Sequence, residues 1–375
     1  MKVLFLYLKA FSFTGGIEKF NRSFLKALHE LSVDGFLDAD ARSAYDIATD
    51  EKYFPKLRFS SHGGSKIQFV LGALFESFRY KTVIIGHINL AFVGYWIKRL
   101  NPSVRLIVIA HGIEVWEILQ GNKRKVLEIA NNILAVSNFT RQQIVAHNPS
   151  VSGEKIKIFP NTIDPYFPLP LSFEKPDYLL KRYGLDEANQ VLLTTTRLSS
   201  NEKYKGYDKV ILAMPDLLAV NKNLKYLICG KADANEDSRI RELIHEVGVT
   251  GSVRLLGFIK DSELIDHYLL ADVFVMQSKG EGFGIVFIEA LACGRKVIAG
   301  STDGSVDALM NGELGQLIDP DEQEALKIAI HQSFTDMNFD PLAMQQKVIQ
   351  NFGFNSYKNR LHSYLVDKVE IDVQN

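Results

Sequence analysis

Residues 272–294 read DVFVMQSKGEGFGIVFIEALACG. An apolar run, DVFVMQS, ends in a loop with glycines at 280, 282 and 284, and a second apolar run then starts at Ile285. A short buried strand, a glycine turn that lets backbone approach a ligand, and a helix make one βα unit of a parallel sheet. The same alternation surrounds it. QVLLTTTRL (from Gln190), LKYLICG, SVRLLGF and RKVIAG lie on either side, and VLFLYL (from Val3), TVIIGH (from Thr82), VRLIVIA (from Val104) and NILAVS (from Asn132) come earlier. Strand-like runs alternating with helical stretches specify parallel strands with crossover helices. Two such series in 375 residues, too many for one core, predict an α/β protein of two doubly wound, Rossmann-like domains.

Prolines 160, 165, 168, 170 and 176 fall within seventeen residues and forbid a continuous helix or an inner strand there. The expected division is a first domain over 1–165, a linker over 166–189 and a second domain over 190–352. A C-terminal helix over 353–375 follows. Its Tyr357, Leu361, Tyr364 and Leu365 recur at helical spacing, a face that can pack back on the first domain.

The chain is 46% hydrophobic and 23% charged with a formal net charge of -1, so no global positive field draws nucleic acid. Cys229 and Cys293 stand apart in apolar runs and read as reduced core residues of a cytoplasmic protein. The start, MKVLFLYLKAFSF, reads as a buried strand, and no apolar stretch reaches the roughly 18 residues that span a bilayer. The segments IQFVLGALFESFRYK (from Ile67) and Phe92 to Arg99 mix aromatics with Lys and Arg. They leave open peripheral contact with the inner face of a membrane, although amphipathic core helices are the commoner reading.

Ligands of open parallel sheets bind beyond the carboxyl ends of the strands. Gly15 and Gly16 follow the first strand, as a ligand-facing loop or as an ordinary tight turn. His111 follows VRLIVIA, where a ligand-facing and a structural imidazole are equally expected. Arg197 and Lys205 follow QVLLTT; together they suit a diphosphate, and singly they read as solvated charges. The loop at 279–284 offers free backbone N–H groups at Gly284 and Ile285 with Glu281 beside them. Glu289, among Val286, Phe287, Ile288 and Leu291, needs polar partners that vicinal hydroxyls would supply. No G-x-G-x-x-G follows any strand, and Asp38-Ala39-Asp40, a pair that could hold a metal, reads as an irregular polar stretch.

The Glu281-x7-Glu289 spacing resembles that of the retaining GT-B glycosyltransferases of group 1, the glycogen-synthase-like and phosphatidylinositol-mannosyltransferase-like enzymes. The likeness extends through Gly15-Gly16, HGIEVW, Val136 to Thr140, Pro160 to Asp164, Arg197 to Gly206 and EGFGIVFIEALACG. It implies two domains facing across a cleft, with Arg197 and Lys205 on the donor diphosphate, Glu281 on the transferred sugar and Glu289 on the ribose. It further implies the backbone of Phe283, Gly284 and Ile285 on sugar and phosphates, Ile259 near the base, Gly16 near the phosphates, and His111 beside the sugar. Lys231-Ala232, Thr196 and the longer 197–205 loop depart from the commonest pattern.

The implied activity is retaining, metal-independent and cofactor-free transfer of a hexose from a GDP- or UDP-linked donor to a saccharide or lipid-linked acceptor, in cell-surface polysaccharide or glycolipid synthesis. The acceptor would be read by loops such as Asp34 to Phe59. A silent sugar-nucleotide-binding protein, or another GT-B enzyme such as an epimerase, is the alternative.

Overall fold

In a computed structural model, which describes residues 1–12 and 15–366, the apolar runs become strands of two parallel sheets. Thr14 and the last residues of the expected terminal helix lie outside the described residues. The chain divides into two units, residues 1–166 together with those from 352 onward, and residues 167–351.

The first unit holds β1 (Lys2–Tyr7), β2 (Asp38–Ser43), β3 (Phe59–Ser61), β4 (Thr82–Ile85), β5 (Arg105–Ala110), β6 (Asn132–Ala135) and β7 (Ile156–Ile158). Between them run α1 (Gly16–Val33), α2 (Lys66–Ser77), α3 (Ala91–Leu100), α4 (Gly121–Ile129) and α5 (Asn138–His147). The order is β3-β2-β1-β4-β5-β6-β7 and every pairing is parallel. Val3 to Tyr7 and Leu106 to Ala110 are fully buried, as strands covered on both faces must be.

Residues 38–43 correct the sequence expectation. DADARS is a strand, not an irregular stretch, and lies in register with β1, Val3 opposite Ala39. Its buried residues include the small Ala39 and Ala41. Asp38 pairs with Arg58, and Asp40 accepts from the Tyr80 hydroxyl at 2.7 Å, so neither is set up as a metal ligand.

The second unit holds α6 (Asp177–Tyr183), β8 (Gln190–Thr195), α7 (Tyr207–Val220), β9 (Leu224–Cys229), α8 (Ala234–Glu246), β10 (Val253–Gly257), α9 (Asp261–Leu270) and β11 (Val273–Met276). It continues through α10 (Ile285–Ala292), β12 (Lys296–Gly300), α11 (Ser305–Ala308), β13 (Gln316–Ile318), α12 (Gln323–Thr335) and α13 (Pro341–Phe352). Its sheet runs β10-β9-β8-β11-β12-β13, again all parallel. The stretch expected as a linker is more ordered than its prolines suggest. Helix α6 starts straight after Pro176, the last of them. Phe173 accepts from Arg295 at 2.7 Å and Lys175 bonds Asp272 at 2.7 Å, so the segment packs within this unit.

The last helix, α14 (Phe354–Leu365), belongs to the first unit. Its Tyr357, Leu361 and Leu365 are buried, and Lys358 bonds Glu30 of α1 at 2.9 Å.

Strand order reverses between β1 and β4 in the first sheet and between β8 and β11 in the second. Loops leaving adjacent strands in opposite directions open a crevice there, and ligands settle in it.

Candidate active site

At the reversal point of the second sheet, the loops that follow β8 and β11 interlock. Lys279 N–H donates to the Tyr204 carbonyl at 3.0 Å. Gly206, at φ +77°, brings its backbone so close that a Cβ would lie 2.6 Å from the Gln277 carbonyl oxygen, and a Cβ on Gly280 would lie 2.5 Å from the Tyr204 ring. Only glycine meets both demands.

The interlock brings two sequence-predicted residues together. Lys205 Nζ and Glu281 Oε1 form an ion pair, each side chain only 13–14% exposed. Burial pulls the Lys205 ammonium down, and the Glu281 carboxylate beside it outweighs that, holding it above its ordinary value. The ammonium also sits 5.3 Å from the Tyr204 ring centre.

Glu281 is fixed from below by the loop after β12. Its N–H donates to Asp303 Oδ2 at 2.7 Å, Ser305 N–H donates to Asp303 Oδ1 at 2.9 Å, and Gly304 N–H returns to the Glu281 carbonyl at 2.8 Å. Burial pushes the Asp303 carboxyl up to about 6, against the backbone donors that pull it down. An acid raised in the folded chain favours folding most below its unfolded value of 3.8, and that increment is lost as pH rises through about 6. Chemical unfolding at a series of pH values should therefore show wild type losing stability relative to Asp303→Asn across this window. Parallel profiles would contradict it.

Gly284, at φ +87°, caps α10 without a side-chain acceptor, and the first-turn N–H groups at Ile285 and Val286 have no acceptor within the helix. Phe283 is buried beneath the loop. Glu289, on the next turn, is 1% exposed and accepts from the Tyr268 hydroxyl at 2.9 Å, which rules out a solvated helix face. Arg197 stands apart from Lys205: its guanidinium is exposed and pairs with Glu202, the Nε bond measuring 3.2 Å.

Beside Arg197, at the carboxyl ends of β9 and β10, lies a pocket of about 550 Å³ lined by Leu198, Gly230, Asp233, Leu255, Gly257 and Phe258. Phe258 and Gly257 line it, and Ile259, which the resemblance places near the base, is the next residue in the chain. Gly230, at φ +151°, passes so close to the next strand that a Cβ would lie 1.7 Å from the Thr196 carbonyl oxygen. A pocket of about 590 Å³ between α7 and α12 opens at the amino ends of the strands, remote from these groups, and its cation Lys327 is already paired with Asp216 and Glu324.

The first unit holds Gly15, Gly16 and His111. Gly15 is extended and Gly16 opens α1; apart from its chain neighbours, a Cβ on Gly16 would meet nothing within 4 Å, so packing does not demand glycine there. The loop before them is set by Asp46, which accepts from the N–H groups of Ala10, Phe11 and Ser12 at 2.7, 3.1 and 3.0 Å. His111 bonds the Gly86 carbonyl through Nε2 at 2.8 Å, and its own N–H donates to Glu114 at 2.6 Å. The His87 ring stacks 5.8 Å away and accepts the Asn89 N–H on Nδ1 at 3.0 Å. Burial lowers both imidazoles, His87 to about 4, so both are neutral at pH 7. Donation from Nε2 leaves His111 Nδ1 as an acceptor.

Sequence reasoning missed Asp46, His87, Tyr204, Tyr268 and Asp303. His87 had a signal, because it stands just past the carboxyl end of β4, as His111 does past β5.

Residues 179–351 match the family model of glycosyl transferases group 1, and residues 14–167 match that of glycosyltransferase family 4. A GDP-mannose-dependent alpha-(1-6)-phosphatidylinositol monomannoside mannosyltransferase of Mycolicibacterium smegmatis is 29% identical over 259 residues, 66% of this chain and 65% of its own. The protein of that name in Mycobacterium tuberculosis strain H37Rv is 31% identical over 233 residues, 59% of this chain and 58% of its own. The chain thus spans less than two thirds of the length of these relatives. Among solved structures, Anabaena HepE in complex with UDP aligns with a TM-score of 0.80 at 19% identity, covering 98% of this chain and all of that one. The sucrose-phosphate synthase of Thermosynechococcus elongatus aligns at 0.76 and 19%, covering 97% and 98%. At those identities the likeness shows the fold, two Rossmann-like parallel-sheet domains of the GT-B kind. Two family models that between them take in most of residues 14–351, relatives that share them and a common fold agree: the chain belongs to the group 1 glycosyltransferases.

Proposed function

We propose that the chain is a retaining, metal-independent hexosyltransferase that takes a sugar from a GDP- or UDP-linked donor and delivers it to a glycan or glycolipid acceptor in cell-surface polysaccharide or glycolipid synthesis. The observation that carries this is the largely buried Lys205–Glu281 pair at the reversal point of the second sheet, beside the uncapped start of α10. A cation, a carboxylate and free N–H groups on neighbouring loops match an anionic diphosphate joined to a hydroxyl-rich ring. The relatives named for GDP-mannose and the structure named for UDP support the same two donor classes.

In this reading Lys205, Arg197 and the N–H groups at Gly284 and Ile285 take the diphosphate, and Glu281 takes sugar hydroxyls. Phe283 backs the loop, and Glu289 exchanges or shares its Tyr268 partner with the ribose hydroxyls. The pocket at Gly230 and Phe258, with Ile259 next in the chain, takes the base. Gly15, Gly16 and His111 are assigned to donor phosphates and sugar by the family resemblance. The anomeric C–O bond breaks with its electron pair passing to the diphosphate, whose charge Lys205 and the helix end stabilise. The acceptor oxygen bonds to the same face of that carbon, and its proton passes to the departing phosphate. Local cations and a helix end take the charge that a divalent ion takes elsewhere, so no metal or other cofactor is invoked.

The test is release of nucleoside diphosphate from GDP-mannose and UDP-glucose in excess chelator, with a membrane-lipid extract as acceptor. One donor should be consumed at a rate that added Mg²⁺ leaves unchanged, and Glu289→Ala should raise its KM. Loss restored by metal would refute metal independence. A donor isomerised without diphosphate release would identify an epimerase, and no turnover of any donor would favour a silent binding protein.

A further inference from the structure

Each cation assigned to the diphosphate has a carboxylate of this chain beside it. Lys205 meets Glu281, and Arg197 meets Glu202. Glu281 has a part in the donor reading, as the partner of sugar hydroxyls. Glu202 has none, and it stands in the longer 197–205 loop that departs from the commonest group 1 pattern.

The Arg197–Glu202 pair is asymmetric. The Glu202 side chain is 16% exposed and that of Arg197 62%, so the acid is the sheltered member and the cation the reachable one. Backbone fixes the acid in place. Its N–H donates to the Ser199 carbonyl at 2.8 Å, and its own carbonyl accepts the Lys205 N–H at 3.1 Å as the 3-10 turn Lys203–Lys205 opens. The turn that presents Lys205 therefore also presents the carboxylate that meets Arg197, and it does so without using that carboxylate.

Tyr204, inside this turn, feels both pairs. Burial raises its hydroxyl above the ordinary value; Lys205 and Arg197 pull it down, while Glu202 and Glu281 push it up. Glu202 also helps Glu281 to hold the Lys205 ammonium up. Two cations and two carboxylates thus make one cluster without net charge. A diphosphate entering such a cluster gains its full attraction only where a carboxylate gives up its cation. Exposed ion pairs are weakly held, so the Arg197–Glu202 contact is the one that can exchange.

We propose that Glu202 is a resident counter-anion of the donor site, holding the Arg197 guanidinium until a diphosphate takes it and reclaiming it as the nucleoside diphosphate product leaves. The inference rests on the donor reading above. Its consequence is a site that binds diphosphate less tightly than its two cations allow and lets the product go sooner.

The test is calorimetric titration of GDP, UDP and their nucleosides into the wild-type chain, Glu202→Gln, Arg197→Ala and the double variant. Glu202→Gln should bind the preferred diphosphate about fivefold more tightly than wild type, the ratio expected of an exposed ion pair, and bind the nucleoside equally. In the Arg197→Ala background the same change should have no effect. Weaker binding by Glu202→Gln would overturn the proposal, because Glu202 would then aim Arg197 at the ligand. So would equal affinity, or a gain that persists without Arg197, which would make Glu202 a simple repulsive charge. Those outcomes leave the donor reading standing. Diphosphate bound no better than nucleoside by all four chains would overturn both.

Discussion

Lys205→Ala should lower kcat by about 100-fold or more, close to 3 kcal/mol of barrier, if its ammonium stabilises charge on the departing diphosphate. The variant also leaves Glu281 buried without its counter-ion, which by itself costs about 3–5 kcal/mol of stability in a fully buried pair and less at this partial exposure. The two effects separate in a second variant. Lys205→Ala combined with Glu281→Gln removes the orphaned charge and should recover most of the lost unfolding temperature, while turnover stays low. Recovery of turnover along with stability would show that Lys205 serves folding alone.

Gly304→Ala should be nearly as damaging, though residue 304 belongs to neither loop of the pair. Its backbone is helical at φ -65°, so any residue could adopt it. Space is what forbids one: a Cβ would lie 2.1 Å from the Gly282 carbonyl oxygen and 2.8 Å from that of Glu281. Both neighbours are backbone atoms, so the 281–284 loop must move as a body. Overpacking of this kind costs about 1–3 kcal/mol of stability. A shift near 1 Å in a reacting group costs about 100-fold in rate. The expected result is a large fall in kcat with a drop in unfolding temperature of only a few degrees. Unchanged kcat would show that the placement of Glu281 does not limit the reaction.

The fold was legible where strands carry bulky apolar residues. VLFLYL, VRLIVIA and DVFVMQS all form strands within a residue or two of where they were expected. It was not legible at β2, where DADARS owes its conformation to pairing with β1 and β3 on either side. The three-residue strands β3, β7 and β13 are too short to show a period.

Of the site, residues on the loops that leave the carboxyl ends of strands could be read, and so Lys205 and Glu281 were found, 76 positions apart in the chain yet paired in the fold. Asp303, Tyr204 and Tyr268 escaped because each acts through a partner supplied by a distant segment. Asp46 escaped because it follows a strand that was itself unread. The aromatic and basic content of α2 and α3 was legible, but which of their apolar residues stand exposed was not. A helix with apolar residues on both sides tells nothing about which side the rest of the protein covers.

The central claim is that the interlocked loops after β8 and β11 hold a nucleoside diphosphate. Calorimetric titration of the wild-type chain and of Lys205→Ala with GDP, UDP and the matching nucleosides, in chelator, tests it most directly. The account predicts that one diphosphate binds far more tightly than its nucleoside and that the variant loses most of that difference. Equal affinity in wild type and variant, or no preference for diphosphate over nucleoside, would contradict it.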